Sequence, residues 1–380
     1  MKRILTIIST VMLSALSLQA QVDLSYKEWK DGPLTIDDFS KRRATGDIIS
    51  EVYTGIQTEA GEWEKIDWNF RVKRLQSKTV FDPIRSWVRS DSLTDQAVRY
   101  GQLMFDATEL TRRQMQNHLA TGPYQTNYMT IVKRYFDISN ARTDEIENIT
   151  EKGRNLAELE NQERIIAEEL ATLSEHPEQI PEYTLRKAAI GTYVGVASQF
   201  HTGEYSSYLG PAYGFIWGFT FGIGRSSIYW DMVMGGASRL KKDIPGDEIK
   251  TWHAGNTSLY GEGTFQYAYD IYDSNTFRIS PFAGIGVGFI DYNNPDRNSE
   301  IMKDEIAGLR CVAGLSMELK YRNSLYLVGD PFWSSIYGGL NENSLRLKIY
   351  VAHTGYGNGM SPYTLNCSLT VNLLSKFMKP

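Results

Sequence analysis

The 380-residue chain is poor in cysteine, in histidine and in net charge, and each scarcity removes a class of protein. Two cysteines, Cys311 and Cys367, are too few for the framework of a disulfide-stapled secreted domain. Five histidines, His118, His176, His201, His253 and His353, are scattered with no two at a ligand spacing, so no metal and no cofactor is expected. A formal net charge of -5, with no Lys/Arg-rich run, leaves nothing to neutralise a phosphate backbone, and nucleic acid is not an expected partner. Beyond the first 20 residues no apolar run approaches the roughly 18 to 20 residues that a membrane-crossing helix needs. If this chain crosses a bilayer, strands must do it.

What is abundant is apolar and aromatic surface: hydrophobic residues make up 42% of the chain, with 23 Tyr, 15 Phe and 8 Trp. Disorder is excluded. Residues 1–20 read as an export signal: Lys2 and Arg3 precede an apolar core from Ile4 to Leu18, and Leu18-Gln19-Ala20 is an acceptable cleavage site. The mature protein is expected to start near Gln21.

Composition then divides the chain. From Lys187 onward it holds 25 of the 32 glycines and 16 of the 23 tyrosines. In residues 141–182, by contrast, 12 acidic residues stand against 4 basic ones, and Ile146, Ile149, Leu156, Leu159, Ile166, Leu170 and Leu173 fall at helical spacing. One long amphipathic helix is predicted there, weakened at Gly153 and ended by Pro177 and Pro181, packing on the domain before it. Upstream, Ile48–Ile56 and Ile66–Lys73 alternate as short strands, giving an α+β domain over residues 21–140.

After Lys187 the period changes from 3.6 to 2. Tyr213, Phe215, Trp217, Phe219, Phe221 and Ile223 oppose Gly214, Gly218, Thr220 and Gly222, and Tyr363, Leu365, Cys367, Leu369 and Val371 oppose Thr364, Asn366, Ser368 and Thr370. Bulky apolar residues on one face and small or polar ones on the other fit a lipid-facing wall around a narrow lumen. About eight strands are predicted: 187–200, 212–224, 228–238, 258–269, 277–289, 306–320, 345–353 and 363–374. Ser324–Val328 would add to these in a ten-strand alternative. Residues 187–380 thus resemble the small outer-membrane β-barrels of Gram-negative bacteria. Asp231, Glu262, Arg278, Arg310, Glu318, Lys320, Arg346 and Lys348 would point inward, where opposite charges must pair. A structural plug is the first reading of that set, and a small pore or lumenal ligand site the second.

The earlier half carries another resemblance. Trp29, Leu34-Thr35-Ile36-Asp37-Asp38-Phe39, Ser86-Trp87-Val88 and Tyr100-Gly101-Gln102-Leu103-Met104-Phe105-Asp106-Ala107-Thr108-Glu109 are similar, in that order, to a family of secreted zincin-type metallopeptidase domains whose last segment reads H-E-Q-x-H-F-D-x-x-E. Two histidines four apart on one helix face chelate zinc, and the carboxylate beside the first activates water. Here Tyr100, Gly101 and Met104 occupy the two ligand positions and the base position, with Asp106 and Glu109 completing the tail. A tyrosine, a glycine and a thioether cannot activate a metal-bound water, so the resemblance implies a domain that keeps the fold without the chemistry. Read without that ancestry, Val98, Leu103, Met104, Ala107, Leu110 and Met115 form a core face, with Asp106, Glu109, Arg112 and Arg113 mostly solvated.

The expectation is a multidomain protein: an α+β periplasmic domain followed by an antiparallel transmembrane β-barrel, located in a Gram-negative outer membrane. Its partners would be outer-membrane lipid and a periplasmic protein or peptide, in a binding or scaffolding role. An active hydrolase with another site, or a simple structural barrel or small pore, are the alternatives.

Overall fold

The structure, a computed structural model, describes residues 26–44, 48–91, 93–124, 128–243, 253–292, 305–328, 338–356 and 363–379. The expected signal segment, 1–20, lies outside them. Contacts group the chain into two compact units: Met1–Glu59 with Leu75–Pro123 and Tyr128–Glu182, and Ala60–Arg74 with Tyr124–Asn127 and Tyr183–Pro380.

The first unit is organised by a helix buried on two sides, α1 (Thr94–Thr121). Its Tyr100, Leu103, Met104, Ala107 and Leu110 recur at helical spacing and pack with Ile146 of α2 (Tyr128–Ile149) and with Leu159 and Ile166 of α3 (Leu156–Thr172). Ala97 and Phe105 on the other side meet Leu34, Phe39, Ile49, Phe81 and Val88. That second core is supplied by short strands. β1 (Lys27–Glu28) pairs with the strand Phe70–Phe81, while β2 (Lys41–Arg43), β3 (Ser50–Glu51) and β6 (Trp87–Arg89) form a sheet of order β2-β6-β3. The long hairpin strands are β4 (Thr54–Lys65) and β5 (Phe70–Phe81), which replace the shorter strands expected at 48–56 and 66–73. Both faces of this hairpin are half-buried, which blurs the alternation that would have marked its length.

The single helix expected over 141–182 is two helices. The chain turns back at Glu151, Lys152 and Gly153, with φ of 50°, 58° and 84°. Two non-glycine residues in that left-handed region cost on the order of 1–2 kcal/mol each. The turn returns Leu159 and Ile166 to the same core as Ile146, and burying those side chains at ~1.5–3 kcal/mol apiece offsets the strain. Asn155 then caps α3, its side chain accepting from the Glu158 amide at 3.3 Å. Gly153 is also pressed on Tyr100: a Cβ there would stand 2.7 Å from the Tyr100 Cβ.

The second unit is an antiparallel eight-stranded barrel. Its walls are β7 (Leu185–His201), β8 (Ala212–Ile223), β9 (Ser226–Arg239), β10 (Thr257–Tyr269), β12 (Phe277–Tyr292), β13 (Glu305–Tyr326), β14 (Gly339–Tyr356) and β15 (Tyr363–Met378). A two-residue strand, β11 (Tyr272–Asp273), folds onto the start of β12. Closure runs from Thr364↔His201 to Lys376↔Ala189 between β15 and β7, so the sheet has no free wall edge. Both termini of the barrel lie at one end, together with the tight turn at Gly224 and Arg225 and the β11 strand; His201, Arg239, Tyr292 and Tyr356 end their strands at the other.

Ser324–Val328 is not a further strand. β13 continues without a break to Tyr326, so the ten-strand alternative falls. β12 leaves β13 at Leu319↔Phe277; four residues later β5 takes up the vacated edge in parallel, Asn323↔Phe70 to Tyr326↔Lys73. Backbone groups that would be orphaned at the barrel's rim are thereby paired.

Candidate functional site in the barrel lumen and on helix α1

Alternation along each wall strand sends one residue out and the next in. Tyr213, Phe215 and Phe221 of β8 are exposed, whereas Ala212, Ile216, Gly218 and Thr220 are buried. Outside, Trp217, Phe219, Trp230 and Phe265 form a run of adjoining rings, the Trp230 and Phe265 planes stacked with centroids 5.8 Å apart.

All eight charged residues singled out in the sequence lie inside, each no more than 5% exposed. They form three tiers. At the end carrying the termini, Arg278 meets Glu342 at 2.7 Å, Asp273 at 3.3 Å, Asp270 at 3.4 Å and Glu318 at 3.5 Å. Lys320 bridges Asp273 and Glu342 at 2.6 and 3.2 Å. In the middle, Arg346 binds Glu318 at 2.7 Å and lies over the Tyr229 ring at 4.4 Å. Lys348 reaches both oxygens of Asp231 at 2.9 Å and Gln266 at 3.0 Å, above Tyr229 at 4.3 Å, and the Tyr193 hydroxyl also donates to Asp231. Further along, Arg310 pairs with Glu262 at 2.5 Å and donates to Thr354, Gln199 and Asn366, while the Tyr350 hydroxyl donates to Glu262 at 3.0 Å. An apolar cluster of Leu209, Leu240, Ile290 and Tyr356 follows at the loop end.

Several members of this network carry no signal in the alternating sequence pattern. Asp270, just past β10, and Asp273, in the two-residue strand β11, lie outside the alternating runs, and Glu342 precedes the expected start of its strand at Leu345. Because β14 begins at Gly339, Glu342 shares the even-numbered inward face of Arg346 and Lys348. The lumen is also less purely small and polar than expected: Tyr193, Tyr229, Tyr260, Phe282 and Tyr350 are buried in it. Gly218 makes that possible, since a Cβ there would meet the Tyr193 hydroxyl at 2.4 Å. Aromatic faces accept the cations that the carboxylates do not fully surround.

On α1, Tyr100, Gly101 and Met104 face inward to the core. A Cβ on Gly101 would stand 2.9 Å from the Phe39 ring and close to Leu34 and Val52, so the position has room for no side chain. Burial pushes the Tyr100 hydroxyl well above its ordinary value, which keeps it neutral. Asp106 accepts from Trp29 Nε1 and Gln102 Nε2, each at 2.7 Å; burial raises its carboxyl, and those two hydrogen bonds only partly counter the shift. Glu109 and Arg112, expected to be solvated, are 1% and 2% exposed. Arg112 grips Glu109 through two bonds of 2.7 Å, Arg113 through one of 2.8 Å, and Thr79 donates at 2.9 Å. Burial alone would raise the Glu109 carboxyl, but the two guanidinium groups outweigh it and hold it below the usual range. The charges sit inside because they satisfy one another and cross-link α1 to the β5 strand. Among the described residues no group of three or more His, Cys, Asp and Glu side chains is placed to hold a metal ion.

No family model matches the chain, and no curated protein matches it. Among solved structures it is similar to the attachment invasion locus protein Ail of Yersinia pestis, solved with the heparin analogue sucrose octasulfate, at 10% identity over 51% of this chain and 99% of that one, with a TM-score of 0.25. It is likewise similar to the outer membrane protein OprG of Pseudomonas aeruginosa, at 11% identity over 51% of this chain and 97% of that one, again with a TM-score of 0.25. The barrel itself stands on its own strand pairing.

Proposed function

We propose that the chain is an outer-membrane β-barrel whose filled lumen makes it an anchor rather than a channel, holding a non-catalytic α+β unit on the periplasmic side. The observation that carries this reading is the inversion of polarity. Phe265, Ile285 and Leu309 stand about 60% open on the outer wall, whereas Arg310, Arg346 and Lys348 are fully buried within it. A barrel folded in water would reverse that order, because an apolar patch of this extent is insoluble. Hydrocarbon around the wall removes the difficulty, and the polar lumen is then sealed from lipid. An even strand number returns the chain to the side on which it started, which supports assigning the residues before β7 to the periplasm.

The α1 positions that the metallopeptidase resemblance would assign to chemistry are packed as core, which favours a binding or scaffolding role for the first unit. β4 supports a peptide or strand partner: in the sheet order it pairs only with β5 among the described residues, leaving an edge that an extended segment could extend. Reconstitution into planar bilayers tests the anchor reading; it predicts no discrete conductance steps, and regular steps would favour the pore. Periplasmic photo-crosslinking from the β4 edge tests the scaffold, since capture of no protein or peptide would remove it.

A further inference from the structure

The turn joining β4 to β5 reads Ile66-Asp67-Trp68-Asn69, and its last residue is tied to the rim of the barrel. The Asn69 side-chain amide donates to the Asn275 carbonyl at 2.9 Å and to the Lys320 carbonyl at 3.0 Å, and the Asn69 carbonyl accepts from the Asn323 amide at 2.6 Å. Phe277 and Tyr321, beside those anchor points, face outward and are 51% and 40% exposed. Ile66 and Trp68 are 49% and 56% exposed. Tight turns in water take small or polar residues, and two large apolar side chains left open there forgo burial. The same hairpin covers its other tryptophan: Trp63 lies under the Arg71 guanidinium at 4.0 Å and against Tyr326 at 4.8 Å. Trp68 is left open where the outer wall's aromatic surface begins.

We propose that Ile66 and Trp68 enter the headgroup–acyl boundary of the phospholipid bilayer, extending the barrel's apolar belt beyond its own strands. This rests on the membrane reading of the barrel. An indole has an apolar body and one N–H donor, which suits it to that boundary. The Asn69 bonds fix the turn at the height of Phe277 and Tyr321, and the exposed Lys65 stands nearby to meet lipid phosphates.

The test uses the full chain in phosphatidylcholine vesicles, with lipid brominated either near the headgroup or deep in the chain as the quencher. The emission lost on Trp68→Phe should be blue-shifted, quenched by the shallow bromines and protected from aqueous acrylamide. The emission lost on Trp230→Phe should be quenched by the deep bromines, which reports the barrel wall independently. Quenching of the Trp68 signal by acrylamide alone, with Trp230 still quenched by bromines, would overturn the turn's insertion and leave the barrel standing. If neither tryptophan responds to bromines, both readings fall. A dye at Asp67→Cys, with Cys311 and Cys367 replaced by alanine, gives the same answer without altering a tryptophan: insertion blue-shifts its emission in vesicles, and no shift contradicts it.

Discussion

Lys348 on β14 and Asp231 on β9 meet across the full bore of the barrel, four strands apart around the eight, with the ammonium 2.9 Å from each carboxylate oxygen. A charge pair reaching across the bore ties opposite walls together. Removing the cation alone should leave a buried unpaired carboxylate. Lys348→Met is therefore expected to destabilise the barrel by ~3–5 kcal/mol, and the Lys348→Met, Asp231→Leu double variant to recover most of that loss. Urea unfolding of the reconstituted protein, followed by tryptophan emission, measures the cycle.

The Glu109 cluster predicts a pH response in the first unit. Its folded carboxyl titrates below the ordinary glutamate value of about 4.3, so the stability it contributes is present above that pH and is lost as pH falls through the folded value. Glu109→Ala should cost ~3–5 kcal/mol at neutral pH by leaving Arg112 buried without its partner. Thermal melts from pH 7 down to pH 3, for the wild type and Glu109→Gln, should show a steep loss for the first and a shallower one for the second.

Asp106 has the opposite sign. Its raised carboxyl disfavours the charged form in the fold, a cost present at neutral pH and relieved as pH falls through the raised value. Both of its hydrogen bonds arrive at Oδ1, which an asparagine keeps. Asp106→Asn should therefore raise the melting temperature at pH 7, with a gain that shrinks toward pH 4. A lower melting temperature at pH 7 would contradict it.

Rebuilding the metallopeptidase motif should fail for a steric reason. The triple variant Tyr100→His, Gly101→Glu, Met104→His puts a glutamate where even a Cβ stands 2.9 Å from Phe39. Gly101→Ala alone is expected to cost ~1–3 kcal/mol by overpacking, and the triple variant to lose cooperative unfolding. A folded triple variant carrying one zinc per chain, by metal analysis, would show that the site was merely vacant of ligands.

Much of the barrel was legible because its signal is local: eight alternating runs separated by turns correspond to eight walls. The lumen's named charges could be read from the same alternation, since parity alone fixes which way Arg346 and Lys348 point. Glu342 escaped because the even-numbered face of β14 begins before the apolar run at Leu345. The fold of 141–182 into two helices was hidden for a different reason. Glu151 and Lys152 are poor left-handed residues, and only the return of Leu159 to the core of Ile146 and Tyr100 makes their conformation worthwhile. Glu109 misled through its charge: polarity at that spacing reads as a solvated face, whereas two arginines and a threonine satisfy it internally. The augmentation of β13 by β5 has no sequence signature, because the pairing joins segments some 250 residues apart.

Contact between the apolar face of the barrel and lipid is tested most directly by heat-modifiable migration. An outer-membrane fraction solubilised in dodecyl sulfate should give a fast-migrating band without heating and a slower one after boiling, because a closed barrel resists detergent until heated. A single position regardless of heating, from protein recovered in the soluble periplasmic fraction, would contradict it.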